Sequence, residues 1–315
     1  MSDIHKPCAC SPDKGVSRRS FLRTSTVLAS GVAALAASLA PLRELTDYTS
    51  IEQFMQKYYK EMTPQEMEKV LERITREVEQ HYKIRPHVKD YKPMDGVEFV
   101  YCLNLTRCIG CRKCVHACVA ENNQSQNPEI QYIRVLKLPH GSLDMEKGDH
   151  NYAPSSVPEK GFFYMPVQCQ QCKNPPCVKV CPVKATWQES DGITVVDYDW
   201  CIGCRYCEAA CPYFARRFNF TKPSIPKERL NPNMSYLGNR PRKQGVMEKC
   251  HFCIQRTRAG KYPACLEVCP TGARKFGNIL DPESEVSYIL RTKRVFIQLK
   301  EELGTSPRFF YYFDV

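Results

Sequence analysis

The chain has 315 residues, of which 43% are hydrophobic, so it is long enough to bury a core in one large domain or two ordinary ones. Its 19 cysteines far exceed average usage and lie in tight runs, which excludes the short disulfide scaffold of small secreted proteins and favours metal ligation. The formal net charge of +11 indicates nucleic acid or an acidic membrane as a partner only if bound metal groups do not offset it.

Residues 1–40 are predicted to be an export signal. The segment from Ser17 to Arg23 has the sequence Ser-Arg-Arg-Ser-Phe-Leu-Arg and precedes an apolar run from Val27 to Leu39. Paired arginines followed by Phe-Leu resemble a twin-arginine signal, which suits a protein that must acquire metal before export. The alternative is the basic start of a short membrane anchor. We expect the chain on the periplasmic side of the cytoplasmic membrane, peripheral through partners, or anchored if the signal is retained.

Residues 41–96 are predicted to form a helical extension, which contains no cysteine. Apolar residues recur at helical spacing over residues 51–62, and the tetrapeptide Thr63-Pro64-Gln65-Glu66 is typical of a capped second helix. Two amphipathic helices with a break between them are therefore expected. They either pack on their own domain or dock to another subunit.

Residues 97–280 are predicted to form one domain built on four cysteine motifs. The motifs occupy residues 108–118, 169–181, 201–211 and 250–269. Strands are predicted to lead into three of them, over residues 98–105, 161–167 and 193–196. A long polar connection, residues 121–160, is expected to cover a surface or meet a partner, and residues 219–245 are expected to form another loop.

The third motif carries the most specific chemistry. Cys201, Cys204, Cys207 and Cys211 have the spacing C-x2-C-x2-C-x3-C and are followed by Pro212. This is the ligand run of a bacterial [4Fe–4S] ferredoxin, in which the fourth cysteine of a two-cluster protein binds the other cluster. Sixteen cysteines in four such runs therefore predict four [4Fe–4S] clusters in two pairs.

The other motifs vary this spacing. The first lacks the trailing proline, the second has four residues in its middle gap, and the fourth has eleven. Structural zinc is the alternative, but zinc sites usually place two C-x-x-C units on either side of a longer loop, which only the fourth motif resembles. Gly110 and Gly203 are expected where the backbone approaches a cluster closely. Cys102, outside the runs, is expected to be a buried small hydrophobe on a strand.

The bound clusters would also change the charge balance. Four clusters with their thiolates carry roughly −8 in total when oxidised. The segment 1–40 has five basic and two acidic residues, so its removal lowers the charge further. The mature protein would be near neutral, and we expect no nucleic-acid partner.

Residues 281–315 are predicted to be a C-terminal helix and tail. A helix is expected to start at Asp281-Pro282 and to stop at Gly304. The aromatic run of residues 309–313 is expected to pack as a terminal strand.

Together, the motifs resemble the four-cluster iron–sulfur subunits of the dimethyl sulfoxide reductase family of complexes, over residues 97–315. Similar subunits serve formate dehydrogenase, nitrate, polysulfide and tetrathionate reductases and some periplasmic hydrogenases. The most specific pieces are Cys169–Cys181 with its internal Asn-Pro-Pro, Asp199–Pro212, and Glu248–Ser284.

The resemblance implies an α+β fold of tandem bacterial-ferredoxin-like modules, each holding two clusters, with loop-rich insertions and the N-terminal helical extension. It pairs the first motif with the fourth and the second with the third. The implied ligand sets are set 1 (Cys108, Cys111, Cys114, Cys269), set 2 (Cys250, Cys253, Cys265, Cys118), set 3 (Cys169, Cys172, Cys177, Cys211) and set 4 (Cys201, Cys204, Cys207, Cys181).

The resemblance also implies an electron-transfer subunit with no catalytic residues of its own. It would relay electrons between a redox catalytic subunit of the molybdopterin type and a quinone-reactive integral membrane subunit. The alternatives are a relay in a periplasmic hydrogenase or multihaem cytochrome c complex, an enzyme that uses a cluster itself, and a zinc-stabilised scaffold. Five basic residues near the motifs could raise cluster potentials, although each is expected to be a solvated charge: Arg112, Lys113, Arg205, Lys249 and Arg274.

Overall fold

The described part of the chain, in a computed structural model, comprises residues 62–293 and 296–314. The predicted export signal and the first predicted helix of the extension lie outside these ranges, except for Met62 at the end of that helix. Within them, no helix is both long enough and apolar enough to cross a bilayer.

Short helices and strands alternate along these residues. The helices are α1 (Pro64–Tyr82), α2 (Lys113–Glu121), α3 (Pro176–Lys179), α4 (Tyr206–Ala209), α5 (Ile254–Thr257), α6 (Ala264–Glu267) and α7 (Glu285–Thr292). The strands are β1 (His87–Lys89), β2 (Phe99–Asn104), β3 (Arg134–Pro139), β4 (Phe162–Val167), β5 (Thr186–Gln188), β6 (Thr194–Val196), β7 (Arg216–Phe218), β8 (Asn233–Ser235), β9 (Met247–Lys249), β10 (Arg274–Asn278), β11 (Phe296–Ile297) and β12 (Phe309–Tyr312). The three strands predicted to precede motifs correspond to β2, β4 and β6.

The largest sheet joins the beginning of the cysteine-rich domain to the end of the chain. Its strand order is β10-β2-β12-β11, with β2 antiparallel to β10 and parallel to β12. The ring of Tyr101 in β2 stacks on the ring of Phe309 in β12, with centroids 4.7 Å apart. The C-terminal aromatic run is therefore a strand, as predicted, and it lies inside the sheet. Cys102 on β2 is fully buried, as predicted.

Helix α7 is shorter than the helix predicted to run from Asp281 to Gly304. The carboxylate of Asp281 accepts a hydrogen bond from the backbone two residues on, which forms a turn instead of a helix cap. The helix begins after Ser284, whose side chain caps it, and ends at Thr292. Gly304 instead follows a separate 3-10 turn.

The third cysteine of each motif lies in a short helix. These cysteines are Cys114 in α2, Cys177 in α3, Cys207 in α4 and Cys265 in α6. Helix α2 packs against α6, and α3 packs against α4. The first motif is therefore packed with the fourth, and the second with the third.

The connection of residues 121–160 is not simply a surface segment, contrary to expectation. It contains β3, which pairs antiparallel with β4, and Val135, Leu136 and Leu138 of β3 are buried in the main core. Polar loops lie on either side of this strand, so the average composition of the connection is polar and does not indicate a buried strand. The second loop, residues 219–245, contains β8, which pairs parallel with β1.

Helix α1 lies on the cysteine-rich domain. The Thr63 side chain accepts a hydrogen bond from the Glu66 backbone, and the Glu66 carboxylate accepts one from the Thr63 backbone at 2.8 Å. This is the capped start that the sequence predicts. Ile74 and Val78 of the helix are buried in the main core. Of the two alternatives for the second predicted helix, the structure shows packing on its own domain.

The carboxylate of Asp199 links α1 to the third cysteine motif. It accepts hydrogen bonds from Arg73 of α1 at 2.7 Å and from Lys243 at 2.9 Å, and it pairs with Arg240 at 3.3 Å. Burial acts to raise the pKa of Asp199, but Arg240, Lys243 and Arg73 outweigh burial and hold that pKa well below its usual range. Because Cys201 follows two residues later, α1 is tied to the start of this motif.

Replacing Asp199 with asparagine is expected to loosen α1. Weaker hydrogen bonds between charged groups lower the free energy of local opening of the helix by about 1.5–3 kcal/mol. This corresponds to roughly 10- to 150-fold faster amide exchange in the helix. Hydrogen–deuterium exchange measured by mass spectrometry tests this. Glu77→Gln is the matched control, because it removes the other, exposed partner of Arg73 at about 0.3–0.5 kcal/mol. Equal exchange of α1 in the two variants would contradict the anchoring role of Asp199.

Candidate metal centres

Three cavities in the structure are each ringed by four cysteines. They are bounded by Cys108, Cys111, Cys114 and Cys269 of set 1, by Cys169, Cys172, Cys177 and Cys211 of set 3, and by Cys201, Cys204, Cys207 and Cys181 of set 4. Together with the open solvent at their mouths, the spaces between these residues measure about 370, 350 and 330 Å³ respectively, so the three sites are similar in size and suit one kind of ligand. In each cavity one cysteine comes from a different motif than the other three.

The fourth group of cysteines is fully buried. It consists of Cys250, Cys253, Cys265 and Cys118, the members of set 2. Asn122 Nδ2 lies within 3.6 Å of both Cys118 Sγ and Cys253 Sγ. Cys265 lies in α6, which packs against α2, the helix that contains Cys118. The structure thus places the cysteines of sets 1, 3 and 4 around one cavity each and buries the four cysteines of set 2. That these sets bind clusters stays a prediction.

The arrangement of the cysteines around three of the sites suits a cluster. Among the described residues, no three His, Cys, Asp or Glu side chains converge closely enough to hold a single metal ion. The sulfurs of sets 1, 3 and 4 instead stand around a cavity. Such an arrangement fits ligands that each bind a different iron atom of one cluster.

Two glycines shape the loops of the first and third motifs. Gly110 and Gly203 have φ angles of +73° and +71°, in the left-handed region that strains any residue with a side chain. A Cβ atom at Gly110 would overlap the ring of Tyr164, and one at Gly203 would overlap the carbonyl oxygen of Gly245. Protein groups packed against these loops therefore exclude a side chain at both positions. The predicted close approach of the backbone to a cluster stays a prediction.

Burial raises the pKa of most thiols whose pKa is shifted, whereas the pKa of Cys269 is lowered because hydrogen bonds with Thr271 and Ala273 outweigh burial. Burial raises the pKa of Cys108 to about 12, that of Cys172 to about 12 and that of Cys207 to about 11. Free thiols with such pKa values stay protonated at neutral pH, which is the opposite of an activated nucleophile. A coordinated thiol, in contrast, is deprotonated by the charge of the metal. The donor set therefore fits metal ligation better than covalent catalysis.

Side-chain amides donate hydrogen bonds to the sulfurs of set 2. Gln124 Nε2 lies 3.1 Å from Cys118 Sγ, and Asn122 Nδ2 lies 3.5 Å from the same sulfur and 3.6 Å from Cys253 Sγ. Gln168 Nε2 lies 3.9 Å from Cys250 Sγ. Donors to cluster sulfurs tune reduction potentials. The sequence prediction missed these three amides, whose only signal is their proximity to cysteines in the chain.

Two of the five basic residues near the motifs are not solvated, contrary to expectation. Arg274 is 3% exposed and Lys249 is 1% exposed, whereas Arg205 lies on the surface. Lys249 Nζ donates a hydrogen bond to the Cys250 carbonyl at 2.7 Å. Arg274 reaches cysteine sulfurs directly, with Nη2 3.3 Å from Cys114 Sγ. A further buried arginine, Arg216, was not among the predicted site residues.

Comparison with known proteins places these centres in a family. Residues 107–185 match one 4Fe-4S dicluster domain, and residues 161–230 and 235–279 match another. The chain is 33% identical over 313 residues to the B component of selenate reductase from Mesobacillus selenatarsenatis, covering 95% of this chain and 97% of that protein. It is 42% identical over 211 residues to the Hdr-like menaquinol oxidoreductase iron–sulfur subunit 1 of Archaeoglobus fulgidus, covering 63% and 71%. It is 37% identical over 207 residues to the B component of polysulfide reductase from Wolinella succinogenes, covering 64% and 87%.

The fold and the cysteine sets define a ferredoxin-like protein with two tandem 4Fe-4S dicluster domains, in the α+β class that was predicted. The protein belongs to the iron–sulfur subunits of the dimethyl sulfoxide reductase family of complexes, which confirms the resemblance seen in the motifs. It is an electron-transfer subunit of an oxidoreductase complex and not the catalytic subunit.

Proposed function

We propose that this chain relays electrons through four [4Fe–4S] clusters between a redox catalytic subunit of the molybdopterin type and a quinone-reactive membrane subunit. The observation that carries the proposal is that four cysteines line each of three cavities, while the four remaining cysteines of the motifs are buried. Each bound cluster would supply one-electron redox chemistry, while the chain supplies thiolate ligands, hydrogen-bond donors and buried charge.

The contacts between sets support a series that runs from set 1 through sets 2 and 3 to set 4. Arg274 lies within 3.8 Å of a sulfur in set 1 and of a sulfur in set 2. Gln168 immediately precedes Cys169 of set 3 and reaches Cys250 of set 2. Helices α3 and α4 hold sets 3 and 4 together. Sets 1 and 4 are thus the two ends of the series, where partner subunits would exchange electrons.

The relatives support the choice of partners. One is named a menaquinol oxidoreductase subunit, and two are named as components of selenate and polysulfide reductases. The match to the selenate reductase component covers 95% of this chain and so includes most of residues 41–96, whereas the other two matches cover under two thirds of it. The shared extension supports a parent complex built like that selenate reductase.

The proposed location is the periplasmic side of the cytoplasmic membrane. It is supported by the twin-arginine pattern of Ser17 to Arg23 and by the apolar run that follows. A fusion of residues 1–60 to a reporter that folds before export tests this proposal. Export that continues when Arg18 and Arg19 are both changed to lysine would contradict it.

Metal analysis tests the cluster content. Anaerobically purified protein is expected to contain about sixteen iron atoms and about sixteen sulfides per chain, because each of the four sets would hold one [4Fe–4S] cluster. Cys102→Ala is a control that should leave both values unchanged, since this buried cysteine lies on β2 outside the four sets. Stoichiometric zinc without sulfide would contradict the relay and favour a scaffold.

Purification of the tagged chain from membranes under anaerobic conditions tests the partners. A molybdenum-containing subunit and a polytopic membrane subunit are expected to co-purify with it. Recovery of a hydrogenase or a multihaem cytochrome c in their place would contradict the choice of partners and leave the relay itself standing.

A further inference from the structure

Two buried arginines occupy equivalent positions in the two halves of the protein. The segments Cys211–Arg216 and Cys269–Arg274 share the pattern Cys-Pro-x-x-Ala-Arg, and each arginine is the first residue of a strand, β7 or β10. The residue five positions after the last cysteine is Thr186 for the second motif and Asn123 for the first motif. Each pair of motifs therefore has one such arginine.

Arg274 lies between the two cysteine sets of the first pair. Its Nη2 is 3.3 Å from Cys114 Sγ of set 1, and its Nη1 is 3.8 Å from Cys265 Sγ of set 2. Its Nη1 also donates to Gln168 Oε1 at 3.0 Å and to the Tyr101 hydroxyl at 3.3 Å. Cys114 and Cys265 are both the third cysteine of their motifs, so the guanidinium faces the same element of each.

Arg216 has the same relation to the second pair. Its side chain lines both the set 3 cavity and the set 4 cavity. After the effect of burial, its strongest electrostatic interactions are with Cys177 and then Cys207, again the third cysteines of their motifs. Its Nη2 donates to Thr186 Oγ1 at 3.0 Å, and its Nη1 has no hydrogen-bond partner of ordinary geometry among the described residues.

Neither arginine has a carboxylate partner in the described ranges of the chain. Both are almost fully buried, at 3% and 1% exposure. A buried guanidinium without a counter-ion is strongly destabilising. A [4Fe–4S] cluster with four thiolates carries roughly −2 when oxidised and gains a further negative charge on reduction. The two clusters of each pair are therefore the anions that match each buried cation.

We propose that Arg274 and Arg216 are positioning residues, one for each cluster pair, that hold a fixed positive charge between two clusters and raise both reduction potentials. This inference rests on the proposed function, because it requires a cluster in each set. A cation between two clusters favours the added electron on either one and screens the repulsion between them when both are reduced. The two members of a pair are thereby kept close in potential, which favours transfer in either direction.

Potentiometric titration followed by electron paramagnetic resonance, on the full chain in its complex, tests the proposal. Arg274→Gln is expected to shift two of the four potentials downward, and Arg216→Gln the other two. The expected change in the ratio of reduced to oxidised cluster at fixed potential is at least tenfold, or about 59 mV for a one-electron couple. Arg274→Lys and Arg216→Lys, which retain the charge, should restore most of each shift. Arg291→Gln is the matched control, because Arg291 is exposed in α7 and lines none of the three cysteine cavities. It should change the ratio of reduced to oxidised cluster by no more than about two- to threefold at any of the four clusters.

The outcomes separate this inference from the proposed function. A wild-type protein without iron and sulfide would contradict the function. Full iron content with unshifted potentials in both glutamine variants, or with a shift in only one cluster per variant, would overturn the inference and leave the function standing. If Arg274→Gln loses iron, retention of iron by Arg274→Lys supports the charge role, and equal loss in both variants overturns it.

Discussion

Replacing Cys211 with serine is expected to remove the cluster bound by the second motif. The cluster bound by the third motif is expected to remain, although Cys211 is part of the third motif in the sequence. The reason is geometric, because Cys211 lines the cavity of Cys169, Cys172 and Cys177. A hydroxyl is a much poorer ligand for iron than a thiolate. Iron content is expected to fall by about one to four atoms per chain, depending on whether a three-iron cluster survives.

Comparison with two other variants identifies the damaged cluster. Cys177→Ser should abolish the same paramagnetic signal as Cys211→Ser, and the double variant should lose no further signal, because both thiols belong to set 3. Cys207→Ser should abolish a different signal, since Cys207 lines the set 4 cavity. If Cys211→Ser and Cys207→Ser lose the same signal, the crossing of ligands between motifs is wrong.

The change with the largest expected effect on stability is Arg258→Met. The Arg258 side chain is 1% exposed and pairs with Asp191, whose side chain is fully buried, through Nε at 2.8 Å and Nη2 at 3.1 Å. It also pairs with Glu189 and donates from Nη1 to the Tyr91 carbonyl at 2.8 Å. Removal of the cation leaves two carboxylates without their partner in the interior, at a cost of about 3–5 kcal/mol in the free energy of unfolding.

Heating measures this loss. For a domain of this size the cost corresponds to a decrease of roughly 6–20 °C in the temperature at which the visible absorbance of the clusters disappears, at a fixed heating rate and without oxygen. Arg107→Met is the matched control, because its pair with Asp314 at 2.9 Å is on the surface, with Arg107 54% exposed, and contributes about 0–1 kcal/mol. Equal decreases in the two variants would show that the buried ion pair has no special role.

The sequence carries more information about the cysteine groups than about their surroundings. Cysteines separated by two or three residues are held on one tight loop whatever the rest of the chain does, so the motifs alone predict four groups of ligands. The capped start of α1 at Thr63 is likewise a local property, and the structure confirms it. In contrast, the side chains that contact the sulfurs, such as Gln168 and Arg216, gain their roles from segments that meet only after folding.

The sequence by itself determined the class of protein, the sixteen candidate ligands and the capped helix of the extension, because these depend on spacings of a few residues. Tertiary structure decided which segments lie beside which. It placed β12 next to β2, although the whole cysteine-rich domain separates Phe309 from Tyr101, and it buried β3 within a connection whose composition is polar. It also buried Arg274 in the interior. The sequence alone indicates only that a charged residue lies near a motif. Strand pairing and burial depend on contacts between distant parts of the chain, and local spacing does not encode them.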